Sequence, residues 1–336
     1  MRNVFLIVIS LLLMISFSCS KKSRFDADVS SVDANIEIKR LEMDLFTMDP
    51  SEIMQKIPDL IEKYGDFFEL YSTAVINVGS PYEKLYADNL SVFITDYTMN
   101  NVYKETQKVF PDLEGLQKSL NTAFKRYKYF FPDKQVPAVY TYMGGFNQSI
   151  VIADSILAIG LDKYLGRNCE YYTRLAFEKY LQQNMYPEKI PSDAIRSWAL
   201  TEFEYKAESD NLINNLLYHG KLQYMLDAVY PEMHDTLKFG FTAEQLLWCQ
   251  RNEKPMWDYL IEEKLLFSTD YMTINKHINP APFTSGYPSE SPGRASVWLG
   301  REIIKAYMDR NPNISLYDLM NEFDYQKILS ESRYEP

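Results

Sequence analysis

The chain has 336 residues, of which 35 are basic and 46 are acidic, so its net charge at neutral pH is −11. This excess of negative charge excludes nucleic acid as a partner, because proteins that bind it need a basic face. Apolar residues make up 46% of the chain and charged residues 24%. These fractions exclude extended disorder and indicate a folded protein.

The first residues are predicted to be a lipoprotein export signal. Arg2 precedes an apolar run from Val4 to Phe17, which is shorter than the roughly 20 residues that span a bilayer. Ser18-Cys19 follows and resembles a bacterial lipobox. We therefore predict a signal peptide at 1–18, cleavage before Cys19 and attachment of palmitate-type acyl chains there. An ordinary signal peptide with an incidental Cys19 is the alternative.

The residues after Cys19 predict where the protein lies. Ser20 resembles the sorting pattern of outer-membrane lipoproteins, and the basic residues that follow lack an acidic surface-export run. We therefore expect an outer-membrane lipoprotein whose body is on the periplasmic face. Residues 19–35 are small, polar and aperiodic, which predicts a flexible tether.

From residue 36 to residue 336 no linker is evident, and the sequence predicts a single domain. Ile36 and Ile38 alternate as in a strand, whereas 82–109 and 113–130 have the apolar spacing of helices. Residues 136–166 are rich in β-branched and aromatic residues, punctuated by Gly144-Gly145. This pattern predicts a small antiparallel sheet at about 136–160.

The second half of the chain is predicted to be helical, apart from one long loop at 274–295. That loop contains four prolines and two glycines, and loops of this length in compact domains are usually functional. Cys169 and Cys249 fit either a disulfide or two free thiols. The predicted fold class is therefore α+β, mainly α with a small antiparallel sheet.

The stretch from Ser192 to Tyr230 is predicted to form two helices that bracket a polar patch. The order of small sheet, two helices, long loop and helix resembles that of zinc peptidases with an HExxH helix. In those enzymes two histidines one helical turn apart bind zinc, and the glutamate beside the first is the general base.

In this chain the corresponding segment reads TEFEY, with Thr201 and Tyr205 in place of the histidines and Glu202 in the position of the base. His219 lies near the position of the third ligand. Threonine and tyrosine bind zinc poorly at neutral pH. The sequence therefore predicts a degenerate zincin- or gluzincin-like metallopeptidase architecture that holds no metal and no other cofactor.

The residues predicted to form a binding cleft are Thr201, Glu202, Tyr205, His219, Lys221 and Arg294. Our hypothesis is that Lys221 or Arg294 neutralises Glu202 where a metal once did, because an unpaired buried carboxylate costs several kcal/mol. Ordinary alternatives remain: a solvated helix face for Glu202, a structural histidine at 219 and plain surface charges at 221 and 294. Gly220 within a helix is explained by close packing against a neighbouring helix.

Segments along nearly the whole predicted mature chain resemble the GldB family, the gliding-motility lipoproteins of Bacteroidetes. The resemblance is carried by Ile38-Lys-Arg40, SDAIRSW, YHGKLQYMLD, NEKPMWDYLIEEKLLF, APFTSGYPSESPGR, VWLGREIIKAYM and ILSESRYEP. It implies outer-membrane lipidation and a role in a cell-envelope machine tied to gliding, and it supplies no biochemical activity. The family is in turn distantly similar to predicted HExxH zinc proteases.

The sequence thus favours a lipid-anchored, non-catalytic cell-envelope protein, a pseudoenzyme that binds or scaffolds other envelope proteins through a peptidase-like cleft. Its expected partners are the membrane, through the lipid on Cys19, and other cell-envelope proteins. One alternative is a zinc-dependent peptidase or hydrolase with ligands from His219, Glu202 or Glu204, and His234 or His277. Another is a carrier of peptide or glycan fragments.

Overall fold

The computed structural model describes residues 24–336, so the predicted signal peptide and Cys19 lie outside the described residues. In chain order the helices and strands are β1 Ile38–Arg40, α1 Leu41–Phe46, α2 Ile53–Tyr64, α3 Asp66–Leu70, α4 Tyr86–Thr95, α5 Tyr97–Val109, α6 Glu114–Phe130, β2 Ala138–Tyr142, β3 Ile150–Ala153, β4 Ile156–Gly160, α7 Glu170–Arg174, α8 Lys179–Gln182, α9 Ile190–Glu202, α10 Leu212–Val229, α11 Asp235–Phe239, α12 Ala243–Arg251, α13 Glu253–Glu262, α14 Tyr271–Ile278, α15 Ala295–Arg310, α16 Leu316–Asn321 and α17 Tyr325–Ser332. The predicted class, mainly α with one small sheet, is confirmed.

The sheet is mixed, and the prediction that it is antiparallel is wrong in this respect. Its strand order is β1-β2-β4-β3. β1 pairs in parallel with β2 and β2 in parallel with β4, whereas only β3 and β4 form an antiparallel hairpin. The turn at Asp154, with φ of +43°, closes that hairpin. The segment at Gly144-Gly145 instead leads from β2 to the outer strand β3, which leaves β2 beside β4.

Both faces of the sheet are covered, which suits its parallel strands. Val139, Leu157 and Ile159 belong to the large core built with the C-terminal helices. Tyr140 and Ala158, which alternate with them along the strands, belong to a second core with the N-terminal helices α1 to α4. The sheet therefore separates two apolar layers, and α9 lies on its C-terminal-helix side.

Helix α10 is the centre of the larger core. Every side chain from Leu212 to Val229 is buried except that of His219, which is half-buried. A helix that is covered on all sides has no solvent face to receive its polar residues. The polar groups on α10 must therefore find partners inside the protein.

Helices α10 and α15 cross with their backbones in contact. A methyl group built on Gly300 would lie 2.1 Å from the carbonyl oxygen of Leu216, and one on Gly220 would lie 2.4 Å from the carbonyl of Gly300. Real carbon atoms do not approach so closely, so only glycine allows this crossing. The explanation of Gly220 by close helix packing is confirmed.

Residues 24–35 were predicted to belong to a flexible tether, yet the structure places them against the folded body. Arg24 donates hydrogen bonds to the carbonyl oxygens of Met308 in the last turn of α15 and of Asn311 (3.0 Å) and Ile314 just after it. The Phe25 ring packs edge-on against Tyr224, with centroids 5.2 Å apart. The carbonyls at the end of a helix lack partners within it, and the guanidinium of Arg24 satisfies them.

Cys169 and Cys249 are both free, so the two-thiol alternative is the one observed. Among residues 24–336 none of the helices combines the length and the apolar character needed to cross a bilayer.

Candidate functional site

The TEFEY segment does not form the helical face that an HExxH site needs. Helix α9 ends at Glu202, where the Phe203 amide closes the last turn on the carbonyl of Ala199 at 3.0 Å. Tyr205 therefore lies in the connection to α10 and not one helical turn beyond Thr201. Thr201 is exposed, and its hydroxyl bonds back to the carbonyl of Trp198. The zincin-like detail of the predicted fold is not confirmed.

Glu202 is neutralised by a residue that the sequence did not indicate. Its carboxylate lies 3.1 Å from the ammonium group of Lys134 and accepts a hydrogen bond from the Tyr127 hydroxyl at 3.4 Å. Lys134 also donates to the backbone carbonyl of Glu202 at 2.9 Å. The hypothesis that Lys221 or Arg294 neutralises Glu202 is therefore wrong. No spacing in the sequence joins Lys134 to Glu202, because the pair forms only through tertiary packing.

Lys221 of α10 lies against the C-terminal helices α16 and α17. It is buried and donates to the carbonyl oxygens of Met320 and Glu322, at 3.3 Å and 2.7 Å. Burial lowers the pKa of Lys221 to about 8. Its ammonium group thus closes the C-terminal end of α16 and is unavailable to Glu202.

Tyr205 is also held by structural contacts. Its ring packs on those of Tyr218 and Tyr325, with centroids 5.2 Å and 5.9 Å apart, and its hydroxyl accepts from Asn215 at 3.2 Å. Burial is the main cause that raises its pKa. This tyrosine fastens the loop after α9 to the centre of α10.

His219 and Arg294 are the two candidates that the structure brings together. Burial lowers the pKa of His219 well below its usual value, and the nearby guanidinium groups of Arg196 and Arg294 lower it further. Nδ1 of His219 is buried and has no hydrogen-bond partner among the described residues. The loop that carries Arg294 lies against the first turns of α9, where Arg294 and Pro280 face Asp193 and Arg196.

Arg294 itself is positioned by a rigid loop. It immediately precedes α15 and has a left-handed backbone, with φ of +66°. The buried Thr284 hydroxyl donates to the carbonyl of Pro292 at 2.7 Å and accepts from the amide of Ala295 at 2.8 Å. Close contact between Gly293 and the backbone of Ala281 draws the two ends of the loop together. The irregular segment runs over 279–294, because residues 274–278 of the predicted loop belong to α14.

A pocket of about 330 Å³ lies where this loop meets the first turns of α9, the sheet and α8. Its charged lining consists of five cations and one carboxylate: Lys163, Lys189, Asp193, Arg196, Lys238 and Arg294. We refer to this space as the cationic pocket. Sequence reasoning identified Arg294 and missed the others. Lys189, Asp193 and Arg196 recur at i, i+4 and i+7, which places them on one face of a helix and was a signal available in the sequence.

The ligand set of the zinc alternative does not assemble in the structure. Among residues 24–336 there is no group of three or more His, Cys, Asp or Glu side chains that could hold a metal ion. Glu204 is exposed and pairs with Lys206. His234 is exposed and caps α11, whereas His277 is buried, with its Nδ1 2.7 Å from the hydroxyl of Ser296.

The fold and the pocket together define a mainly helical α+β protein with a small, cation-lined cavity at the start of α9. A family model described as "Gliding motility protein GldB" matches residues 22–336. The chain therefore belongs to the GldB family of gliding-motility proteins. Searches of curated proteins and of solved structures gave no match.

Proposed function

We propose that this GldB-family chain is a lipid-anchored, non-catalytic component of the cell envelope that works in gliding motility by binding. The lipid on Cys19 would hold it at the periplasmic face of the outer membrane, where it would contact other envelope proteins. The family match over 22–336 supports the link to gliding.

The observation that supports a non-catalytic role is the ion pair formed by Glu202. This residue corresponds to the general base of the HExxH enzymes, yet it forms an ion pair with Lys134 at the end of α9. A general base must be able to take a proton from a bound water or substrate. In the structure the Lys134 ammonium group and the Tyr127 hydroxyl both contact Oε2 of this carboxylate, so the partners of Glu202 are structural ones.

We expect Glu202→Gln to preserve function in cells. The amide keeps an acceptor for Tyr127 and for Lys134 and removes only the ability to act as a base. The measurement is colony spreading of a gliding bacterium in which this variant replaces its deleted GldB-family gene. Lost spreading with normal protein level and normal melting temperature would overturn the non-catalytic proposal, as would stoichiometric zinc in the purified protein that is lost on His219→Ala.

We expect Cys19→Ala to release the protein from the membrane and to abolish spreading in the same strain, because the acyl chains would have no attachment point. The measurement is the distribution of the protein between membrane and soluble fractions. Cys169→Ala is the matched control, since it removes a free thiol elsewhere in the chain, and it should leave the protein in the membrane fraction. Retention of the Cys19→Ala chain there would contradict lipid anchoring.

A further inference from the structure

The cations of the cationic pocket differ in how far they are already neutralised. Lys238 pairs with Asp227 at 2.7 Å and with Asp235 at 3.3 Å, so its charge is balanced behind the pocket wall. Lys189 is paired with Asp193, which also accepts from the Tyr164 hydroxyl at 3.1 Å. Asp193 is the one carboxylate of the lining, and its charge also favours the charged forms of Arg196 and Arg294, although it forms an ion pair with neither.

Lys163 forms no ion pair but donates to a backbone carbonyl oxygen at 3.3 Å, whereas two arginines have neither kind of partner in the described part of the chain. Neither Arg196 nor Arg294 forms an ion pair or a side-chain hydrogen bond within residues 24–336, although both are half-buried. Nε of Arg294 is buried and unpartnered, as is Nδ1 of His219. Buried polar groups in native proteins are nearly always satisfied, so these unpartnered atoms call for an explanation.

The two guanidinium groups also act on each other. Burial lowers the pKa of Arg294 to about 9; the charge of Arg196 lowers it further, and that of Asp193 raises it. The charges of both arginines also lower the pKa of Lys189, in addition to the larger effect of burial. Like charges held together in a partly dehydrated cavity are unfavourable unless an anion joins them. The protein as a whole is acidic, with a net charge of −11, so this local excess of positive charge is not a general property of its surface.

We propose that the cationic pocket binds a phosphoryl group, with Arg196 and Arg294 as its principal ligands. Each guanidinium offers five N–H donors in a planar fork, and arginine is the residue that most often binds phosphate bidentately. A carboxylate has one negative charge and about four acceptor sites, whereas a phosphate monoester is close to dianionic at neutral pH and has three terminal oxygens. Two unpaired arginines match the phosphate better in both charge and number of donors.

The rest of the pocket limits the size and character of the ligand. Rings and apolar side chains complete the lining, among them Phe177, Tyr180, Leu181, Met185, Phe239 and Pro280. A volume of about 330 Å³ lies at the lower end of the range for small-molecule sites. The ligand class is therefore a small phosphate monoester, either a free one or the headgroup of a lipid. This inference deepens the proposed binding role and depends on it for its biological meaning.

The test is calorimetric titration of the purified full-length lipoprotein in neutral detergent at pH 7.5. The probes are inorganic phosphate, glycerol 3-phosphate, dihexanoyl phosphatidic acid and, as the carboxylate comparison, acetate. We expect saturable binding of glycerol 3-phosphate that is at least tenfold tighter than that of acetate. Binding of the short-chain lipid at least tenfold tighter than that of glycerol 3-phosphate identifies a headgroup, and equal binding identifies a free ester. Absence of saturable binding by every phosphate probe, or acetate binding as tightly, overturns the inference.

Variants assign the site. Arg196→Gln and Arg294→Gln should each weaken binding of the phosphate ester at least tenfold, while the exposed Arg174→Gln should not change it. Because each variant removes a buried charge that lacks a partner, its melting temperature should be unchanged or higher. Unchanged affinity in the two pocket variants overturns the assignment.

Arg196→Lys keeps the charge with fewer donors and should weaken binding to an intermediate degree, which preserves the test if a glutamine variant fails to fold. Affinity equal to that of the unsubstituted chain in Arg196→Lys counts against direct guanidinium contact. These titrations report on the pocket alone. The proposed function is tested separately, by colony spreading and zinc content. A failure of the phosphate inference can therefore be distinguished from a failure of the proposed function.

Discussion

Gly300→Ala is expected to lower the free energy of unfolding by about 3 to 5 kcal/mol. The added methyl group would lie 2.1 Å from the Leu216 carbonyl oxygen, a backbone atom that cannot rotate away. To accept it, α10 and α15 would have to separate along the centre of the larger core. That separation would loosen contacts along both helices, including Ile303 and Leu217, which are fully buried.

The measurement is urea unfolding followed by circular dichroism. Gly115→Ala is a matched control, because Gly115 also lies in a helix, α6, and has nothing within 4 Å of an added methyl group. That control should be stabilised by up to about 1 kcal/mol through helix propensity alone. A Gly300→Ala chain within about 1 kcal/mol of the unsubstituted protein would show that the two helices are not in backbone contact.

Arg301→Met is expected to cost about 3 to 5 kcal/mol of unfolding free energy. Arg301 is buried and forms ion pairs with Asp227 (Nε to Oδ2, 3.0 Å), Asp235 and Glu302. Without its charge, the three carboxylates would have only two cationic partners among these pairs, Lys238 and Lys305. The loss arises mainly from carboxylate charge left in a poorly solvated site, where the attraction of Arg301 had offset the cost of burial.

Exposed ion pairs provide the comparison for this network. Arg174 and Glu170 are one helical turn apart on the surface, 3.1 Å from each other, and Arg174→Met should change the unfolding free energy by less than about 1 kcal/mol. Unfolding at low and high salt separates the two cases further, because salt screens surface pairs more effectively than buried ones. Equal losses for the two methionine variants would contradict the buried network.

Local sequence patterns predicted the helices and strands well where capping and spacing decide them. Capping boxes formed by Thr242 with Gln245 and by Ser315 with Asp318 open α12 and α16, and this residue pattern is legible in a sequence. The predicted helix at 82–109 is divided at Asp96, whose side chain accepts from the Met99 amide at 2.8 Å and begins a new helix. The apolar spacing continues across this aspartate, so the pattern does not show that one helix ends there and another begins.

Strand pairing and side-chain partners were not predictable in the same way. In the sequence β3 lies between β2 and β4, which suggests that β2 would pair with β3. In the sheet β2 instead pairs with β4 on one side and with β1 on the other. Lys134 reaches Glu202 only because α6 packs beside α9. The candidate site shows the same division. Arg294 was identified from its loop, whereas the spacing around Arg196 indicates a shared helix face but not the pocket that this face lines.

The hydrogen bonds of Arg24 have a consequence for how the body would stand on a membrane. Five peptide units join Cys19 to Arg24, and even fully stretched they span about 18 Å. With Cys19 acylated as proposed, a connection of this length would hold the junction of α15 and α16 close to the lipid headgroups. Arg294 lies at the far end of α15, about 24 Å away along the helix axis. The height of the cationic pocket above the bilayer would then be governed by the tilt of a single helix.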